Sequence, residues 1–208
     1  MNKRYLIILL ILVTNNSCVA FNDYKELLRP VIASFSKNEH FKASKTFYDN
    51  QPFSFISAQY GNNPSAILVL WKIENNSFYW VGKNNELLVT QNGKVTYTNA
   101  FESNFRVYGD GIGPDYTTVN KTQRGVIDLF QPDLSGVSFT STYTNEIDED
   151  FELFGENLKV VKIDELFKID IINFSRKNTY LFLRDKPIYS EQSLHPYLSP
   201  LKINFYYK

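Results

Sequence analysis

Residues Leu87-Leu88-Val89-Thr90-Gln91-Asn92-Gly93-Lys94-Val95-Thr96-Tyr97-Thr98 place two short runs rich in apolar and β-branched side chains on either side of Asn-Gly. Asn and Gly tolerate the positive φ that both central positions of a two-residue type I′ turn require, so this stretch predicts an antiparallel hairpin. Strand-like runs continue upstream at Phe53, Phe55, Ile67 to Ile73 and Tyr79-Trp80-Val81, the last after a turn at Glu74–Ser77. Downstream they recur at Phe105–Tyr108, Val126–Phe130, Val137–Thr144, Leu158–Ile163, Phe167–Phe174, Thr179–Arg184 and Leu201–Tyr207. Turn residues punctuate them at Pro132-Asp133, Gly155-Glu156-Asn157 and Asp185-Lys186-Pro187. About ten short strands without interleaved helices predict a mainly β fold, an antiparallel sheet forming a sandwich or an open half-barrel.

The N-terminal part reads differently. From Asn22 to Ser36, Tyr24, Leu27, Leu28, Val31, Ile32 and Phe35 recur at three- and four-residue spacings, which predicts one amphipathic helix packed on the sheet. Pro30 should kink or split it. Before it, Lys3 and Arg4 precede an uninterrupted apolar run from Tyr5 to Val13, the order of a secretory signal and too short for a bilayer span. Cys18, the sole cysteine, stands at the end of this signal. Cleavage before Cys18 would leave a lipidated N-terminus; cleavage after Ala20 would leave Phe21 as the first residue. Val19 rather than Asp after the cysteine would favour the outer membrane. We therefore expect a signal peptide over 1–17 and a single β-rich domain over 18–208.

Composition excludes several classes of function. The 22 basic residues equal the 22 acidic ones, so no net field recruits nucleic acid. With Cys18 as the sole thiol, intramolecular disulfides, thiolate metal sites and a cysteine nucleophile are excluded from the mature domain. Gly109-Asp110-Gly111-Ile112-Gly113-Pro114 looks like a glycine-rich dinucleotide loop but lacks the surrounding βαβ pattern, so it reads as a flexible loop. The acidic run Glu146, Asp148, Glu149, Asp150 and Glu152 lacks ordered calcium-loop spacing and reads as a solvated turn. His40 and His195 are far apart in sequence, no Gly-x-Ser-x-Gly elbow is present, and both read as surface or loop histidines. No cofactor, metal site or catalytic residue is expected. With 17 Phe and 14 Tyr against two Trp, most rings must be core, and Trp71, Trp80 and Tyr97 are the candidates for contact with a glycan or a partner.

The segment from Trp80 through Leu87-Leu88-Val89-Thr90-Gln91-Asn92-Gly93-Lys94-Val95 resembles the YjbF/GfcB family of envelope lipoproteins associated with group 4 capsule and exopolysaccharide operons. That family is similar in reading W-x-S-x-D-x-x-x-L-V-T-x-N-G-R. Gly82 and Asn84 replace polar residues of the pattern, and Asn15 and Asn16 depart from the usual lipobox. The resemblance implies a non-enzymatic lipoprotein, anchored through Cys18 to the periplasmic face of the outer membrane or else periplasmic. It further implies partners in the polysaccharide export machinery, or the polysaccharide itself. Two other readings stay open: a periplasmic open-barrel carrier of lipid or acyl chains, and a secreted glycan-cleaving enzyme.

Overall fold

The computed structural model describes residues 41–101, 103–109, 112–115, 120–131 and 133–208, with residues 146–148 described through their backbone alone. Cys18, His40, the signal and the helix expected over 22–36 lie outside the described residues. After a five-residue helix α1 (Lys45–Asp49), capped by the Ser44 hydroxyl at the Phe47 N–H, the chain runs through twelve strands. These are β1 (Phe55–Tyr60), β2 (Ala66–Glu74), β3 (Ser77–Val81), β4 (Leu87–Gln91), β5 (Lys94–Asn99) and β6 (Phe105–Tyr108). There follow β7 (Thr122–Phe130), β8 (Asp133–Leu153), β9 (Glu156–Ile169), β10 (Phe174–Leu183), β11 (Lys186–Gln192) and β12 (Leu201–Tyr206).

Each strand pairs antiparallel with its sequence neighbours, and β1 pairs with β12 from Phe55↔Tyr206 to Tyr60↔Leu201. The sheet is thus a closed up-and-down barrel. This corrects the expectation of a sandwich or open half-barrel of about ten strands. The physical reason is that closure satisfies the backbone groups of both terminal strands, which an open sheet would leave as bare edges.

Alternate residues point inward. Val137, Phe139, Ser141 and Tyr143 of β8, Ile163, Glu165, Phe167 and Ile169 of β9, and Leu201, Ile203 and Phe205 of β12 are all buried. Strand β9 is continuous through Asp164-Glu165-Leu166, where the sequence had suggested a break, and a 3-10 turn at Asp170–Ile172 interrupts the strand expected over 167–174. The acidic run is also strand rather than turn. Its described carboxylates Glu149 and Asp150 reach Lys162 at 3.1 Å and Lys159 at 2.8 Å on β9.

Candidate functional site

The Asn92-Gly93 turn has the geometry its sequence predicts, with φ of 50° and 79° and Gln91 paired directly to Lys94. The strands leaving the turn depart from a regular hairpin, which the sequence does not foretell. The ladder shifts after Val89↔Tyr97 so that Thr90 faces Val95, leaving Thr96 as a bulge that bends the hairpin. The bent tip lies against β10 and β11 rather than in solvent. The Gln192 side chain bridges the gap, accepting from the Val95 N–H at 2.9 Å and donating to the Gly93 carbonyl at 2.8 Å. A Cβ on Gly93 would sit 2.8 Å from the Pro187 Cβ. Gly113, from the motif that looked like a dinucleotide loop, closes the other side; a Cβ there would lie 2.5 Å from the Gln91 carbonyl oxygen. That glycine therefore serves close packing of two backbones.

The tip delivers Lys94 into the barrel, where its side chain and that of Glu165 are both fully buried and form an ion pair. Lys94 Nζ also donates to Ser141 Oγ at 3.0 Å and Tyr143 Oη at 3.3 Å. Its charge lies 4.9 Å from the Phe167 ring centroid and 5.1 Å from that of Phe139. Glu165 accepts further from Asn178 Nδ2 at 2.9 Å and Tyr180 Oη at 2.6 Å. Burial pushes the Lys94 ammonium below its usual range, against the pull of Glu165. Burial acts on Glu165 in the opposite sense, but the Lys94 charge and the Asn178 amide outweigh it and hold the carboxyl below its usual range. Burial, and then the Glu165 charge, raise the phenols of Tyr143 and Tyr180, so both remain donors. This network is satisfied and sealed from solvent, so it orders the core and offers no reacting group to a substrate.

The three aromatic candidates separate. Trp80 is fully buried, its indole donating to Thr90 Oγ1 at 2.9 Å and its ring stacked on Phe78. It belongs to the core. Trp71 is 38% exposed and Tyr97 half-buried; Trp71 sits at a bulge of β2 with its ring edge-on to Tyr79, and strand register links Tyr79 to Tyr97 on the outer face. Lys72 faces Tyr79, Tyr79 faces Val89, Val89 faces Tyr97, Tyr97 faces Arg106 and Arg106 faces Asp128. This row crosses six adjacent strands, about 24 Å at the usual spacing. Lys72 lies 4.4 Å from the Tyr79 ring centroid and 5.3 Å from that of Trp71, and Arg106 stacks 4.7 Å above Tyr97. At its far end Asp128 accepts from the Gly136 N–H and the Tyr108 hydroxyl, both at 2.7 Å. Those two bonds hold its carboxyl below the usual range. Sequence spacing could not reveal this row, because its members come from six strands and meet only through register.

His195 lies in the loop after β11, as expected, but it is buried rather than at the surface, and burial lowers its pKa. Among the described residues no group of His, Asp or Glu is arranged to hold a metal ion.

Comparison with known proteins agrees with this architecture. The crystal structure of the hypothetical lipoprotein YmcC from Escherichia coli K12 superposes with a TM-score of 0.67 at 18% identity, over 81% of this chain and 98% of that one. At that identity the likeness shows the fold. No curated protein matches the chain. The family model described as group 4 capsule polysaccharide lipoprotein GfcB, YjbF matches residues 28–205, most of the sequence, and the chain belongs to that family.

Proposed function

We propose that this protein is a cell-envelope lipoprotein, anchored through Cys18, that takes part without turnover in the export or assembly of a capsule or exopolysaccharide. The family supports the setting. The single structural observation that carries a contact role is the outer row of Trp71, Tyr79, Tyr97 and Arg106, where ring faces suit sugar rings and the interleaved cations suit acidic substituents. The open-barrel carrier rested on an open, curled sheet with an apolar cavity under a helix, and the sheet is closed instead.

The test compares polysaccharide output in the native host for the wild type, a deletion, Cys18→Ser and a Trp71→Ala/Tyr97→Ala double variant shown to be folded. The deletion and both variants should lower surface or secreted polysaccharide. Unchanged output in the deletion, or glycan cleavage by the purified protein, overturns the reading. An unmodified N-terminus at Phe21, read by mass spectrometry, removes the anchor alone.

A further inference from the structure

At the end of the barrel where β8 turns into β9 and β10 into β11, an open cavity of about 310 Å³ lies between these two turns, the end of β12 and Tyr48 of α1. That is the lower end of the size range of small-molecule sites. Leu153, Phe154, Leu183, Ile188 and Phe205 make its walls largely apolar, while Arg184, Asp185 and Lys186 stand on one side. Neither Arg184 nor Lys186 forms an ion pair among the described residues, and Lys186 Nζ lies 5.5 Å from the Tyr207 ring centroid.

The backbone supplies an independent observation. Nine described non-glycine residues have positive φ, and six of them are asparagine, the side chain that bears this conformation most easily. Ala100 is a seventh. The remaining two are Phe154, at φ 55°, and Arg184, at φ 60°. Both occupy tight turns where Asn or Gly would cost less, and both line this cavity. Phe154 packs its ring 5.2 Å from Tyr48 and 6.0 Å from Tyr206. Strain retained at two facing turns, in a chain whose other described non-glycine positions of this kind are six asparagines and the small Ala100, marks a site where the side chain matters more than the turn.

We propose that this cavity binds an acyl chain bearing an anionic headgroup, with the chain against Phe154, Leu183 and Ile188 and the phosphate or carboxylate at Arg184 and Lys186. The walls favour this over a sugar, because Leu153, Phe154, Leu183, Ile188 and Phe205 offer hydroxyl groups no hydrogen bonds. Of the lining tyrosines, Tyr48 already donates to the Tyr207 carbonyl and Tyr206 already accepts from the Ala43 N–H. Two cations against one acid set the sign of the head. This site is separate from the outer aromatic row, and the inference stands whether or not that row contacts polysaccharide.

Isothermal titration of the mature protein with alkyl phosphates, kept below their micellar concentrations, tests it. Dodecyl phosphate should bind one per chain, and affinity should fall about fourfold for each methylene removed, the contribution of one buried CH₂. Phe154→Asn and Arg184→Asn place the residue that suits each turn and remove wall and cation respectively. Each should keep the wild-type circular dichroism and bind at least fivefold more weakly. No binding, binding independent of chain length, equal binding of dodecyltrimethylammonium, or displacement by a uronic-acid oligosaccharide overturns the proposal.

Discussion

Replacing Glu165 by Leu leaves Lys94 as a buried cation without a counter-charge. Its remaining partners would be the neutral oxygens of Ser141 at 3.0 Å and Tyr143 at 3.3 Å, with the side chain fully buried. An ammonium so placed gives up its proton. Holding a lysine neutral at pH 7 costs about 1.36 kcal/mol for each of the ~3.4 units below its ordinary pKa, about 4.6 kcal/mol in all. The figure falls within the ~3–5 kcal/mol typical of breaking one side of a buried pair. At about 2–4 °C per kcal/mol for a domain of this size, Tm should fall by roughly 9–18 °C. The unfolded variant binds a proton at Lys94 that the folded one does not, so the variant's own stability should rise by about 1.36 kcal/mol per unit from pH 7 to 9. The acid side has the opposite origin. In the wild type the folded pKa of Glu165 lies below its ordinary 4.5, so the pair's stabilisation is present above pH 4.5 and lost as pH falls through that lower value. The Leu variant should lack that acid loss. Urea unfolding of both proteins across this pH range is the assay, with Lys94→Met/Glu165→Leu as a control that recovers much of the deficit. A deficit under about 1 kcal/mol at pH 7, or a variant whose stability does not rise between pH 7 and 9, would refute the buried pair.

Gly93→Val should destabilise by at least about 1–2 kcal/mol through its left-handed backbone, and further through collision with Pro187, which thermal denaturation measures. An unchanged Tm would place the turn elsewhere. Trp80→Ala should cost about 3–5 kcal/mol as a core deletion and strand the Thr90 hydroxyl, so any loss of polysaccharide output should track its unfolding. A folded, near-wild-type Trp80→Ala protein with lost output would instead return Trp80 to the contact surface.

The parts of this fold legible in sequence were those with local causes. Asn92-Gly93 announced its turn because positive φ is a property of two residues, and most strands showed through apolar or β-branched runs. Closure was not legible. A half-barrel and a barrel differ by the pairing of Phe55–Tyr60 with Leu201–Tyr206, and nothing within either segment names the other as its partner. Nothing in the hairpin stretch singled out Lys94, and Asp164-Glu165 read as a break between strands, because a charge is expected in water unless its partner is known. Each made the other's burial possible from 71 residues away. Of the candidate contacts, Trp71 and Trp80 look alike in sequence, and only the bulge between Leu70 and Lys72 and the pleat separate an outward ring from an inward one. The acidic run misled in another way. Its Asp150 and Glu149 are compensated by Lys159 and Lys162 across the ladder, so acid-rich sequence could still form strand.

The seam between β1 and β12 has a consequence for how the protein is made. During synthesis the chain presents Phe55–Tyr60 before its partner Leu201–Tyr206, which follows about 140 residues later. Until then the nascent sheet carries a free strand edge with buried-type side chains such as Phe55 and Ile56 unprotected. Contacts this distant in sequence form slowly, since the loop must close before they contribute. The interval before the last strand docks is thus the period of greatest exposure to aggregation, and the point at which a chaperone would matter most.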